Sequence, residues 1–333
     1  NVTTYNSIVI RKSTDNGSNW ANISFNAAVI SGQDIFSVYQ ASNGSLFAGS
    51  NKRMFKSTDN GTTWSWMSGL PDSATYYDIT EIGGNILATF AKGTTNGVYY
   101  SNDFGATWTQ ATGIASGVRY FLIEGSTVLV GGTSNGIYKS IDVGQTWSSY
   151  GTGFPAAPGI WDIKRSENKL FAGSITGLGL FESSDNGSTW TSSSPTVFNG
   201  FCQVFSMVQS GKTIILTNDG GGCNVGGASS IRSSTDAGNT WSSFMGGTTP
   251  PNYFSTVGKN SSGTSFFAKK GNGKETYRFN NGNVAISDGN MQNSIMVYPN
   301  PTIDYIQIQG VADIQSMEFE VVDMSGKTVI PAH

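Results

Sequence analysis

An eight-residue signature recurs six times at nearly even spacing, and nothing else in the 333-residue chain constrains its fold as strongly. The copies run Ser13–Trp20, Ser57–Trp64, Ser101–Trp108, Ser140–Trp147, Ser183–Trp190 and Ser234–Trp241. They share the pattern Ser-x-Asp-x-Gly-x-Thr-Trp, with Asn19 in place of the threonine in the first copy. Successive tryptophans lie 44, 44, 39, 43 and 51 residues apart. Between copies, apolar and polar residues alternate with the period-2 pattern of strands, and no long helical period occurs. A strand-built repeat of roughly 40–50 residues is the mark of a β-propeller, one blade per repeat.

Each residue type in the signature suits a tight reversal between two strands. An Asp carboxylate accepts hydrogen bonds from nearby backbone N–H groups, and Gly takes positive φ without steric cost. The Trp opens the returning strand and offers its ring to the space between blades. A catalyst is needed once and these aspartates occur six times, so Asp15, Asp59, Asp103, Asp142, Asp185 and Asp236 are expected to be architectural. The pattern resembles the Asp box of the BNR-repeat families, which include sialidases, sortilin-type receptors, xyloglucan-degrading glycosidases and photosystem assembly factors. That resemblance implies the propeller fold and leaves the function open.

The strand pattern predicts an all-β chain with a seven-bladed propeller over residues 1–290, each blade a four-stranded antiparallel sheet. In the second blade, for example, Ile35–Gln40, Leu46–Ser50, Arg53–Ser57 and Thr63–Met67 have strand character. The seventh, around Tyr253–Ser287, lacks the Asp and the Trp. The first blade begins at what should be its second strand, so roughly 15–25 residues are expected upstream. Open blade edges of this kind also offer a route to self-assembly.

Charged residues are 12% of the chain and its net charge is −3, which argues against nucleic acid, a partner that calls for a basic face. No apolar run reaches the length of a transmembrane helix. Cys202 and Cys223 flank the hairpin expected at Ser210-Gly211, so a disulfide between them is expected, which suits an oxidising compartment.

After Gly289 the repeat stops. Val297-Tyr298-Pro299-Asn300-Pro301, Asp304-Tyr305-Ile306 and Val321–Lys327 resemble the type A sorting domain of the type IX secretion system of Bacteroidetes. The resemblance covers residues 291–333 and implies a truncated β-sandwich, engagement of that secretion machinery, and release or attachment at the cell surface. The family's domain runs on for a further 30 to 40 residues, so this end is expected to be cut as well. Asp72-Ser73-Ala74 resembles the Bacteroidetes O-glycosylation site, which makes Ser73 a candidate acceptor.

Catalytic signals are sparse. The one histidine is His333, so no Ser-His-Asp triad or His-based zinc site can be built. Six arginines occur, and only Arg119 and Arg165 fall on inner strands, whereas a sialidase-like clamp needs three. Glycosidase chemistry needs two carboxylates across a cleft. Asp34, Asp78 and Asp162 are the candidates, each before an Ile that opens an inner strand; their shared register also suits a purely structural role. Glu81 and Glu124 are further inner-strand carboxylates. No cofactor is expected; Asp219, in a Gly-rich stretch, is the one place suited to Ca²⁺ through carboxylate and carbonyl oxygens. Tyr76, Tyr77, Tyr120, Trp161 and Tyr253 cluster before or on inner strands, where ring faces suit sugars or peptide side chains and also suit packing between blades. The expected function is recognition of an extracellular glycan or protein without catalysis. Two alternatives stand beside it, a glycoside hydrolase using inner-strand carboxylates and a structural subunit of a surface assembly.

Overall fold

The computed structural model describes residues 33–115, 117–134, 136–193, 202–218, 231–242 and 257–259 with their side chains, and elsewhere the backbone of strands alone. The strands follow in chain order. A hairpin of β1 (Val9–Lys12) and β2 (Ala21–Ser24) comes first. Six four-stranded antiparallel sheets follow. They are β3 (Ile35–Gln40), β4 (Leu46–Ser50), β5 (Met54–Ser57) and β6 (Ser65–Trp66); then β7 (Thr75–Ile82), β8 (Asn85–Lys92), β9 (Thr95–Ser101) and β10 (Thr109–Gln110). Next come β11 (Val118–Glu124), β12 (Thr127–Gly132), β13 (Gly136–Ser140) and β14 (Ser148–Tyr150). The fourth sheet is β15 (Ile160–Ser166), β16 (Lys169–Ser174), β17 (Leu180–Ser183) and β18 (Thr191–Ser192). The fifth is β19 (Val204–Ser210), β20 (Thr213–Asn218), β21 (Ile231–Ser234) and β22 (Ser242–Ser243). The sixth is β23 (Phe254–Lys259), β24 (Ser265–Lys270), β25 (Thr276–Asn280) and β26 (Asn283–Ala285). Two short pairs close the chain, β27 (Met296–Tyr298) with β28 (Gln307–Gln309) and β29 (Val321–Val322) with β30 (Thr328–Ile330). Among the described residues no helix is long and apolar enough to cross a membrane.

Successive sheets pack through their first strands, β3 on β7, β7 on β11, β11 on β15, β15 on β19 and β19 on β23. This is the propeller arrangement, and apolar side chains of the inner strands and the box tryptophans fill the space between blades: Leu129, Ile137, Ile160, Ile163, Leu170 and Trp190, for instance, form one buried cluster. The second strand must let the next blade's first strand come close. A Cβ on Gly131 would lie 2.6 Å from the Ile160 carbonyl oxygen, so this position has no room for a side chain.

The five described boxes hold their aspartates by one hydrogen-bond pattern, and four of them add a bond from the Trp ring that Trp108, its Nε1 buried without a partner, does not make. In the box at Asp185, Ser183 Oγ and Thr189 N donate to Oδ1 at 2.7 and 2.9 Å, and Thr189 Oγ1 donates to Oδ2 at 2.6 Å. Gly187 N donates to Ser183 Oγ at 2.8 Å, and Trp190 Nε1 donates to the Gly187 carbonyl at 2.9 Å. Asp59, Asp103, Asp142 and Asp236 are held in the same way. The turn needs two successive left-handed residues, not the glycine alone. The residue before it also has positive φ, including the β-branched Val143 at 52°. Boxes also join neighbouring blades: Trp147 N donates to Thr112 O at 2.9 Å and Trp190 N to Thr152 O at 2.8 Å.

Bonds from Thr63, Thr107, Thr189 and Thr240 hold Asp59, Asp103, Asp185 and Asp236 down to about 2. Burial works to raise Asp142, and the bonds from Thr146 and Ser140 outweigh it, so it too is lowered. A carboxylate held below its unfolded value of about 4 gives its full stabilisation above that pH and loses it as pH falls through the folded value. Thermal melts should therefore show an acid loss of stability confined to about pH 4 down to about pH 2, weakened in a variant with several boxes changed Asp→Asn; an unaltered acid limb would contradict this.

Candidate functional site

Every first strand breaks its pairing at one place. Ile35 pairs with Ser50 but Ser37 with Gly49; Tyr76 pairs with Phe90 but Ile79 with Ala88; Val118 pairs with Gly132 but Phe121 with Val130. The same irregularity lies between Ile160 and Asp162, between Val204 and Ser206, and between Phe254 and Thr256. Beyond the irregularity the pairs Val38↔Ala48, Ile79↔Ala88, Phe121↔Val130, Ile163↔Ala172, Met207↔Leu216 and Val257↔Ala268 occupy one common register position. A bulge leaves residues unpaired and re-aims their side chains. Counting back two positions from the first five of these pairs gives Phe36, Tyr77, Arg119, Trp161 and Phe205 on five adjacent strands.

Four of these five are in contact in sequence. The rings of Phe36 and Tyr77 meet edge to face with centroids 5.6 Å apart. The Arg119 guanidinium lies 3.5 Å from the Tyr77 ring centroid and 4.9 Å from that of Trp161. Phe36 is 46% exposed, while Tyr77, Arg119, Trp161 and Phe205 are partly exposed. The result is a belt of rings with one cation between two of them. Arg119 Nε and Nη1 are buried without a hydrogen-bond partner, and burial lowers the guanidinium to about 10.

One position further along stand Ser37, Asp78, Tyr120, Asp162 and Ser206. Asp78 Oδ1 accepts from Ile79 N at 3.0 Å, and its Oδ2 accepts from Phe121 N of the next blade at 2.9 Å. Asp162 repeats the arrangement, accepting from Ile163 N at 2.9 Å and from Met207 N at 2.7 Å. Lys164 Nζ adds a 2.6 Å ion pair to Asp162 Oδ1. Ser206 Oγ accepts from Val257 N at 3.3 Å in the same register. Thr89 Oγ1 accepts from Asp78 N at 3.0 Å and donates to Arg119 O at 2.7 Å, fastening two bulges at once. These side chains bracket the bulges of adjacent blades.

Of the carboxylates expected at a catalytic cleft, Asp78 and Asp162 share this register and are two blades apart. Asp34 does not join them. It precedes β3, is exposed, and is equivalent to Gly159, because the Ile35↔Ser50 pair corresponds to Ile160↔Ser174; the residue matching Asp78 in that blade is Ser37. Glu81 is engaged by Ser42 N and Oγ at 2.7 and 2.5 Å, and Glu124 pairs with Arg165. Burial pushes Asp78 up to about 7, against the opposing pull of the Phe121 N–H, Lys164 and the Ile79 N–H. Burial, with Asp162 and Asp78, pushes Tyr120 up to about 12.

The expected aromatic binders divide. Tyr77 and Trp161 are belt residues. Tyr120 is half-buried and hydrogen-bonds Trp161. Tyr76 is corrected: it is 0% exposed in a hydrophobic cluster and its hydroxyl donates to Pro71 O at 2.8 Å, so no ligand reaches it. Phe36, Arg119 and Phe205 had no signal as members of a set, since the bulge that aligns them has no motif. Ser73 is exposed with φ 58°, beside Asp72, which pairs with Arg53 at 3.2 Å. Cys202 is buried and disulfide-bonded. Cys223, Asp15, Asp219 and Tyr253, with most of residues 291–333, lie outside the described residues.

Residues 296–333 match the secretion system C-terminal sorting domain, which directs export to the cell surface or extracellular space. No curated protein is similar to the chain in sequence. The fold is similar to the extracellular domain of the BT4673 one-component system of B. thetaiotaomicron, with a TM-score of 0.60 at 16% identity over 86% of this chain and 35% of that one. It is similar to YCF48 bound to D1 peptide, with a TM-score of 0.58 at 13% identity over 83% and 82%. It is also similar to the GH74 enzyme of Niastella koreensis, with a TM-score of 0.51 at 18% identity over 77% and 38%. The chain thus spans about a third of the BT4673 domain's length. At these identities the likeness concerns the β-propeller fold.

Between about pH 4 and pH 7 the folded state keeps a proton on Asp78 that the unfolded chain has released. Its contribution is complete below about pH 4 and is lost as pH rises through about 7. Asp78→Asn cannot titrate and should flatten the decline in urea midpoint between about pH 4 and about pH 7. A decline unchanged by the substitution would mean that Asp78 is ionised throughout.

Proposed function

We propose that this is an exported, non-catalytic recognition propeller that binds an extracellular glycan or protein ligand on its bulge belt. The observation that carries this reading is the belt itself. Five adjacent strands spend a bulge at one register position to present Phe36, Tyr77, Arg119, Trp161 and Phe205. Bulges weaken a ladder and are characteristic of places where a side chain must be aimed, and clustered aromatics with a central Arg are the usual anchors of binding energy.

The carboxylates support the non-catalytic part. All four oxygens of Asp78 and Asp162 already receive backbone N–H groups, so their first task is to hold bulges. A propeller of seven blades of the Asp-box kind, with residues 1–290 as the recognition unit and residues 291–333 engaging the type IX secretion machinery, fits the six boxes and the tail. YCF48, which matches this chain along most of both lengths, is a propeller seen with a peptide. That makes a peptide partner as natural as a sugar.

One observation favours a second reading. Asp78, raised to about 7 by burial and placed two blades from Asp162, has the character of a glycosidase general acid. A single experiment separates the two: a glycan-array and peptide-array screen of the intact protein, with hydrolysis assays on every sugar bound. The recognition reading expects binding without turnover, weakened about tenfold or more by Trp161→Ala. Turnover abolished by Asp78→Asn would replace it with the hydrolase reading.

A further inference from the structure

The way the belt side chains face each other narrows the ligand. Tyr77 and Trp161 each turn a ring face to the Arg119 guanidinium, at 3.5 and 4.9 Å, and the rings of Tyr77 and Phe36 meet edge to face. Trp161 is further tied by its hydrogen bond to Tyr120. The faces that Tyr77 and Trp161 turn to Arg119 are not free to stack on the flat face of a pyranose. What the column holds ready is a cation.

Arg119 forms no ion pair with a carboxylate among the described residues, and its Nε and Nη1 have no hydrogen-bond partner. Aspartates stand one position away, yet the oxygens of Asp78 and Asp162 are taken by backbone amides and Lys164. The protein therefore holds a partly desolvated guanidinium, locked between two rings, with its charge left uncompensated. A partly desolvated cation binds a carboxylate strongly, and stacking fixes the plane of its donors.

Resting on the reading of the belt as the ligand face, we propose that its ligand is an acidic peptide segment, recognised by a side-chain or terminal carboxylate that pairs with Arg119 while apolar side chains of the same segment lie against Phe36 and Phe205. A carboxylate supplies the charge that the molecule leaves unpaired. A peptide, unlike a uronic acid, does not require an open ring face beneath it. Recognition is by ion pair and hydrogen bond, with no covalent step.

The test is fluorescence anisotropy on the whole chain with three labelled probes: a short Glu-containing peptide with flanking Leu and Val, the same peptide with Gln for Glu, and a galacturonate oligomer. The expected result is saturable binding of the Glu peptide, at least about tenfold weaker binding of the Gln peptide, and weakening with added salt. Arg119→Gln should bring the Glu peptide down to the level of the Gln peptide. Arg119→Lys should recover only part of the loss, because an ammonium lacks the stacked planar fork. The comparison of the two peptides on the unaltered protein stands even if a variant misfolds. Equal binding of both peptides, tighter binding of galacturonate, or indifference to Arg119→Gln would overturn the proposal. Loss of a neutral ligand on Trp161→Ala with no effect of Arg119→Gln would overturn it and leave the belt as the ligand face. Ligand binding indifferent to both substitutions would remove the belt reading itself.

Discussion

A buried backbone N–H must find an acceptor, and a bulge takes acceptors away. Much of the central architecture follows from that conflict. Each first strand of the propeller slips its register near one end, and just past the slip amides such as Phe121 N and Met207 N find their acceptors across the blade boundary. The preceding carboxylates, Asp78 and Asp162, meet that need from across the blade boundary, and each also takes the amide of the residue that follows it. Two side chains thus serve four strands. A serine hydroxyl does the same at Ser206, and Thr89 ties a further pair of bulges through its single oxygen.

The brackets and the belt are two halves of one device. The residue beside each bracket is the one that the bulge releases, so fixing Asp78 fixes Tyr77, and fixing Asp162 fixes Trp161. Arg119 lies between those two rings, and its carbonyl is held by Thr89. A face built from sheet and tied by hydrogen bonds is more rigid than one carried on loops. The boxes work at a different level. Their Ser-Asp-Thr rings stabilise the turns and join successive blades through Trp147 and Trp190, and none of the five described aspartates has an oxygen spare for a ligand.

The fold was legible because its signal is repeated and local. Six boxes state the turn six times, and short apolar runs such as Leu46–Ser50 are placed to the residue. The site was legible only in part. Trp161, Tyr77 and Asp162 stood out by residue type, but which of them act together depends on the bulges, and a one-residue slip has no sequence signature. Asp34 illustrates the cost. Its Asp-Ile pair is identical in sequence to Asp78-Ile79 and Asp162-Ile163, yet Ile35 enters β3 before the bulge, whereas Ile79 and Ile163 follow it. Tyr76 failed for the opposite reason: adjacent residues on a strand point to opposite faces, so of two neighbouring tyrosines one joins the belt and the other the core.

The measurement that bears most directly on this account is amide hydrogen exchange at the bulges. Phe121, Met207, Ile79 and Ile163, which lie just past the slips, should exchange slowly, and Asp162→Asn should accelerate Met207 and Ile163 while leaving Phe121 protected. Fast exchange at these amides in the unaltered protein would contradict the account. The carboxylates would then be free of the backbone, and the belt would have no scaffold to hold it.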